Sequence, residues 1–158
     1  VSCFSISCRF ILTAFHWLFI GKNDIFIAHI IMKKILFYWL PPVVWMVFVF
    51  ALSSRQQIGI SETFFINFLV FKTFHVIEYT FLFFLFFRAF YSQFSQQKNL
   101  AFLLAGIATL LFAISDELHQ TAVPSREGTV RDVGIDTIGI ILCFMYTRYN
   151  LKKLRLFL

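Results

Sequence analysis

A chain of 158 residues that is 59% hydrophobic and only 14% charged cannot cover a soluble surface with water-facing groups. A mean hydropathy of +0.80 and long apolar runs point to one small membrane domain, with no room for a separate soluble one. The net charge of +6 does not signal nucleic-acid binding, because the basic residues lie at the ends of apolar runs, where membrane topology places them.

The first 31 residues contain "FILTAFHWLFI" (10–20), too short to span a bilayer. Met32-Lys33-Lys34 then opens directly into "ILFYWLPPVVWMVFVFAL" and has the look of an authentic start. Residues 1–31 are therefore expected to be an N-terminal extension, interfacial or poorly ordered. The order of two lysines, an apolar stretch and "ALSS" also fits a signal peptide. Eighteen apolar residues is long for that purpose and the Trp39 and Trp45 rings are large, so an uncleaved helix is favoured. Of the three cysteines, Cys3, Cys8 and Cys143, none has metal-ligand spacing.

Four spans are predicted, over 35–52, 68–90, 100–115 and 133–147. The fold class is all-α, a polytopic bundle of about four transmembrane helices within a domain covering 32–150. About 20 residues are needed to cross a core of ~30 Å, so the third and fourth spans are slightly short, and each could borrow length from its polar flank if that flank is buried in protein. Pro41 and Pro42 are placed in the first turns of the first span, where a helix best tolerates them. Lys33, Lys34, Arg88, Lys98, Arg148, Lys152, Lys153 and Arg155 fall on one side and Arg55, Lys72, Arg126 and Arg131 on the other. Eight against four predicts both termini in the cytoplasm. The tail 151–158 is read as a basic cytoplasmic anchor attracted to anionic lipid.

The segment "SDELHQTAVPSREGTVRDVGID" (115–136) holds five of the eight acidic residues. Asp116, His119 and Gln120 share a face at the end of the third span, with Glu117 beside them. Asp132 and Asp136, at i and i+4, open the fourth. In the second span Lys72, His75, Glu78 and Tyr79 share one face. The topology brings all three polar faces to one depth, at the extracytoplasmic boundary. Charges inside a bilayer cost ~2.5–3.5 kcal/mol each on insertion scales, so these groups should face one another and not lipid.

"FKTFHVIEYTFLFF" and "SDELHQTAVPSREGTVRDVGIDTIG" resemble the VanZ-like family. That family carries a Lys/Arg-x-x-His-x-x-Glu-Tyr helix, matched here by Lys72, His75, Glu78 and Tyr79. It also carries an Asp-Glu-x-x-Gln-x-x-x-Pro-Gly-Arg-x(5)-Asp-x-x-x-Asp-x-x-Gly segment. Asp116, Glu117, Gln120, Pro124, Arg126, Asp132, Asp136 and Gly139 match it, and "ALSSRQQ" (51–57) resembles the Ser-Ser-x-Gln after the family's first helix. The likeness covers about 33–147. Ser125 departs from the Gly of Pro-Gly-Arg, and Cys143 stands where a second Gly often follows Gly139. The resemblance implies a multi-helix integral membrane protein of the bacterial cell envelope. The family takes its name from a member associated with resistance to the glycopeptide teicoplanin, and it implies no particular reaction.

Several roles suit the polar cluster. His75 and Glu78, with Glu117 and His119 as partners across the bundle, could form a proton relay, an acid/base pair, two ligands of a divalent metal, or a buried ion-pair network fixing helix register. No His-x(3)-His or Cys pair supplies a metal nucleus, so no metal ligand set is assigned and no cofactor is required. Arg126 suits an anionic headgroup or pyrophosphate, against a salt bridge to Asp132 or Glu117. Asp132 suits a helix N-terminus. Asp136, a turn further in, pairs with Arg126, Arg131 or Lys72 or stays protonated. Ser115 and Ser125 show no nucleophile elbow. The expected partners are membrane lipids and a lipid-linked or cell-wall ligand. Three functions follow: binding an envelope lipid, a cell-wall precursor or a glycopeptide-related ligand; acid/base catalysis on a lipid-linked substrate; or small proton-coupled transport.

Overall fold

The computed structural model describes residues 22–55, 63–124, 126, 128–154 and 158. These form four helices, α1 (Lys22–Ser53), α2 (Phe64–Gln93), α3 (Lys98–Gln120) and α4 (Val130–Leu154), with no strand among the described residues. Three segments, His29–Ser53, Phe65–Gln93 and Lys98–Gln120, are long and apolar enough to cross a membrane. The helix α4 has 25 residues but carries Arg131, Asp132 and Asp136 near one end and Lys152 and Lys153 in its last turn.

The helices α3 and α4 outrun their apolar runs, and the turns they add are mostly polar. The helix α3 continues through Asp116, Glu117 and Gln120, and α4 begins before Asp132; all four side chains are buried. Burial in protein is what lets charged flanks remain helical, because each group meets a partner in place of lipid. The prolines are a correction. Since α1 starts at Lys22, Pro41 and Pro42 lie in its interior and not in its first turns. The chain divides into two compact units between Phe37 and Tyr38, in the turn whose i→i−4 bonds two prolines cannot supply. In the first unit, the described helical turns expose Ile27, Ile30, Ile31, Met32, Ile35, Leu36 and Phe37. Residues 1–21 lie outside the described residues, as do Ser125 and Arg155.

In the second unit, small side chains set the helix spacing. Ala101, Ala105, Thr109 and Ala113 recur every four residues on the buried face of α3. Without bulky side chains, that face lets the aromatic rows of α2 approach closely. Tyr79, Leu82, Phe83, Phe86 and Phe87 fill the space between helices with Ile140 and Cys143 of α4. Phe87 stacks on Phe102 at 4.2 Å between centroids, and Phe102 meets Phe144 edge-on at 5.1 Å. Cys143, where the family's second Gly often stands, is buried with Sγ 3.7 Å from Thr147 Oγ1.

The helices α2 and α4 approach closely at Gly139. A β-carbon there would lie 2.5 Å from the Val76 carbonyl oxygen, so only glycine permits the contact. Thr80 Oγ1 is 2.6 Å from the Val76 carbonyl and 3.1 Å from that of Gly139, joining the two backbones. This pins the register of α2 against α4 one turn from Asp136. From α1, Trp45 donates its indole N–H to the Glu78 carbonyl at 3.1 Å and packs edge-on against Phe81 at 4.6 Å. Both contacts hold the C-terminal half of α1 against the polar stretch of α2.

Candidate functional site

The register set at Gly139 and Trp45 brings the polar ends of all four helices around one cavity of about 380 Å³. Its charged lining includes Lys72, His75 and Glu78 from α2, Asp116 from α3, Asp132 from α4, and Arg55 and Arg126 from the connections. Val49, Leu52, Phe71 and Phe74 supply an apolar wall. Tyr79, Glu117, Gln120 and Asp136 surround the same region, and all four are buried.

Asp116 is the hub. Its Oδ1 accepts from Ser53 Oγ of α1 at 2.5 Å. Its Oδ2 accepts from Tyr79 Oη of α2 at 3.3 Å and from Gln120 Nε2, one turn along α3, at 2.9 Å. Three neutral donors therefore hold a carboxylate that is 1% exposed. Such an array can sustain a buried carboxylate without an adjacent cation.

Two further pairs join α2 to α4. Lys72 Nζ meets Asp132 Oδ2 at 2.8 Å, and Arg131 Nε lies 3.5 Å from Asp132 Oδ1. Asp132 also sits in the first turn of α4, where the helix dipole favours an acid, so dipole and ion pair act together. His75 Nδ1 lies 3.2 Å from Asp136 Oδ1. The partner of Asp136 is thus His75, and not Arg126, Arg131 or Lys72. Glu117 Oε2 accepts the Thr129 N–H at 3.0 Å, at the entry to α4. Gly128 makes that possible: a β-carbon there would sit 2.0 Å from the Glu117 carbonyl oxygen.

Arg126 corrects the expectation of a salt bridge to Asp132 or Glu117. Its Nε donates to the Arg55 carbonyl at 2.8 Å and its Nη2 to the Leu52 carbonyl at 3.1 Å. A helix leaves its last four carbonyls without intrahelical donors, and a cation there is also favoured by the dipole. Arg126 therefore caps α1, and its guanidinium still borders the cavity. His119 is a second correction. It stacks on Phe50 at 4.2 Å and lies 3.0 Å from Ser54 Oγ, and it is not among the residues lining the cavity. Neither His119 nor Glu117 partners Glu78, whose carboxylate borders the cavity and makes no hydrogen bond or ion pair with the described residues. Ser115 is exposed and donates to the Phe112 carbonyl, so it is not set up as a nucleophile.

Ser53, Trp45, Thr80 and Thr129 also shape the site, and no periodic pattern in the sequence marks them. Ser53 lies within "ALSSRQQ", and that match was its only signal. A metal-capable grouping also emerges: His75, Glu117 and Asp136 each offer a ligand atom, all within 4.8 Å of one another. These residues come from α2, α3 and α4, so no local spacing could announce them.

The fold and site define an all-helical membrane protein with a charged pocket at one end of its bundle. A family model described as VanZ/LLP1 matches residues 9–152, nearly the whole chain. The chain belongs to that family, as Lys72, His75, Glu78 and the 116–139 pattern indicate. Comparison with curated proteins and with solved structures returns no match.

Proposed function

We propose that the pocket binds the polar head of an amphiphile from the cell envelope, an envelope lipid or a lipid-linked cell-wall precursor, near the extracytoplasmic face of the cell membrane. The observation that carries this reading is the two-sided lining of the 380 Å³ cavity. Lys72 and Arg126 keep N–H groups beyond those given to Asp132 and to the α1 carbonyls, Glu78 offers an unpaired carboxylate, and Val49, Leu52, Phe71 and Phe74 suit an apolar body. In this reading α4 crosses the membrane beside the three more apolar helices, and both termini face the cytoplasm. The eight-to-four asymmetry of basic residues supports that orientation. A glycopeptide-related ligand would enter from the same side.

Acid/base chemistry on a lipid-linked substrate is a second reading, favoured by Glu78. A carboxylate bordering a cavity without a partner, one turn from His75, is placed to take up a proton from a bound ligand.

Lipid extraction and mass spectrometry of purified wild type and Glu78→Gln test the binding. One lipid class should be enriched over the bulk membrane with wild type and depleted at least tenfold with the variant. The reading fails if both proteins carry the bulk profile and E78Q leaves glycopeptide sensitivity and envelope lipids unchanged. For orientation, Ser125→Cys in a background without the native cysteines should react with a membrane-impermeant maleimide in intact cells.

A further inference from the structure

We infer that His75, Glu117 and Asp136 form a binding site for one divalent transition-metal ion, zinc or manganese, set between α2, α3 and α4 beside the cavity. Proximity is the first ground: the three ligand atoms fall within 4.8 Å of one another. Ligands on one tetrahedral zinc, at ~2.0–2.2 Å from it, stand roughly 3.3 Å apart. His75 Nδ1 and Asp136 Oδ1 are already 3.2 Å apart. Drawing the third ligand in takes side-chain movement on the order of 1 Å.

Unsatisfied acceptors are the second, independent ground. Asp136 Oδ2 and Glu117 Oε1 are buried and accept no hydrogen bond, on residues 0% and 4% exposed. Buried acceptors are normally satisfied, and orphaned oxygens on two neighbouring carboxylates call for a cation. Lys72 is engaged by Asp132 at 2.8 Å, and Arg126 by the carbonyls closing α1. With a neutral imidazole, two carboxylates carry a charge of −2, which one divalent ion balances. This contrasts with Asp116, whose two oxygens are both occupied by protein donors.

The donor set selects the kind of ion. One imidazole and two carboxylates suit zinc or manganese better than the softer ions that thiolates hold, and better than calcium, which prefers all-oxygen ligation. The Thr129 N–H on Glu117 Oε2 orients that carboxylate in the way outer-sphere donors orient metal ligands. Three protein ligands, and not four, is the number found in zinc sites that keep one position open. His75 belongs both to the trio and to the lining of the cavity.

The test uses full-length, tag-free protein stripped with chelator and titrated with zinc or manganese chloride. Affinity is read by competition with a chromophoric chelator, and manganese occupancy by electron paramagnetic resonance. Wild type should bind one equivalent and unfold at a higher temperature when loaded. Glu117→Gln and Asp136→Asn should each weaken binding at least tenfold and lose the thermal shift. Asp116→Asn, the neighbouring carboxylate outside the trio, should retain both. Should D136N not fold, E117Q decides alone. No stoichiometric binding by wild type, or equal affinity in wild type and E117Q, overturns the inference. Neither result bears on the lipid profile, which tests the amphiphile separately.

Discussion

Replacing Asp116 separates the scaffold of the pocket from its chemistry. Its carboxylate joins Ser53 of α1, Tyr79 of α2 and Gln120 of α3, and it is 1% exposed. Asp116→Ala removes three acceptor contacts at once and leaves three buried donors facing a void. Side-chain hydrogen bonds within membrane bundles average ~0.6 kcal/mol. Those to charged groups in soluble proteins begin at about 1.5 kcal/mol. Three such contacts give a loss of about 2 to 4.5 kcal/mol, before any repacking of the void.

Asp116→Asn should behave differently. The amide oxygen can take over the bonds from Tyr79 and Gln120, and the amide nitrogen can donate to Ser53. That serine still has the Phe50 carbonyl, 3.1 Å away, to which it can donate. The cost should stay below about 1 kcal/mol, because every group keeps a partner. Unfolding by dodecyl sulfate in mixed micelles measures both losses. Circular dichroism follows the helices, and Trp45 fluorescence, in a background with Trp17 and Trp39 replaced by Phe, reports whether α1 stays docked. An alanine variant within about 0.5 kcal/mol of wild type would refute the hub, that being the ordinary size of a neutral surface change. An asparagine variant as unstable as the alanine would show that the negative charge is what matters, and not the array of donors.

Two further substitutions probe the contacts of α4. Lys72→Met leaves Asp132 with only Arg131 at 3.5 Å, whose side chain is 67% exposed. The loss should be about 1–3 kcal/mol, below the full buried-pair figure because Lys72 is partly exposed, and K72M/D132N should recover most of it in a double-mutant cycle. Gly139→Leu must push α2 from α4 against the Val76 carbonyl, at a cost of roughly 1–3 kcal/mol. Gly134→Ala meets nothing within 4 Å in the same helix. It should be neutral or raise the midpoint by up to ~1 kcal/mol of helix propensity, and equal effects at 134 and 139 in a detergent thermal melt would contradict the close approach.

The sequence carried the periodic part of this architecture and missed the part that depends on how helices face one another. Lys72, His75, Glu78 and Tyr79 follow a 3.6-residue spacing, so their common face could be read directly. His119 shows the limit of that method. At about 100° per residue, His119 and Gln120 lie to opposite sides of Asp116 on α3, though both count as its neighbours. Packing against α1 then sorts them, Gln120 to the hub and His119 to Phe50. The targets of Arg126 are backbone carbonyls, which every residue has and no sequence marks. Polar flanks concealed the helix ends for a related reason: hydropathy treats a buried charge and a solvated one alike, while a bundle with partners continues through the first and stops at the second. Chemistry assembled within one helix is therefore visible in the chain, whereas a constellation such as His75, Glu117 and Asp136 exists only once Gly139 and Gly128 have let three helix ends approach.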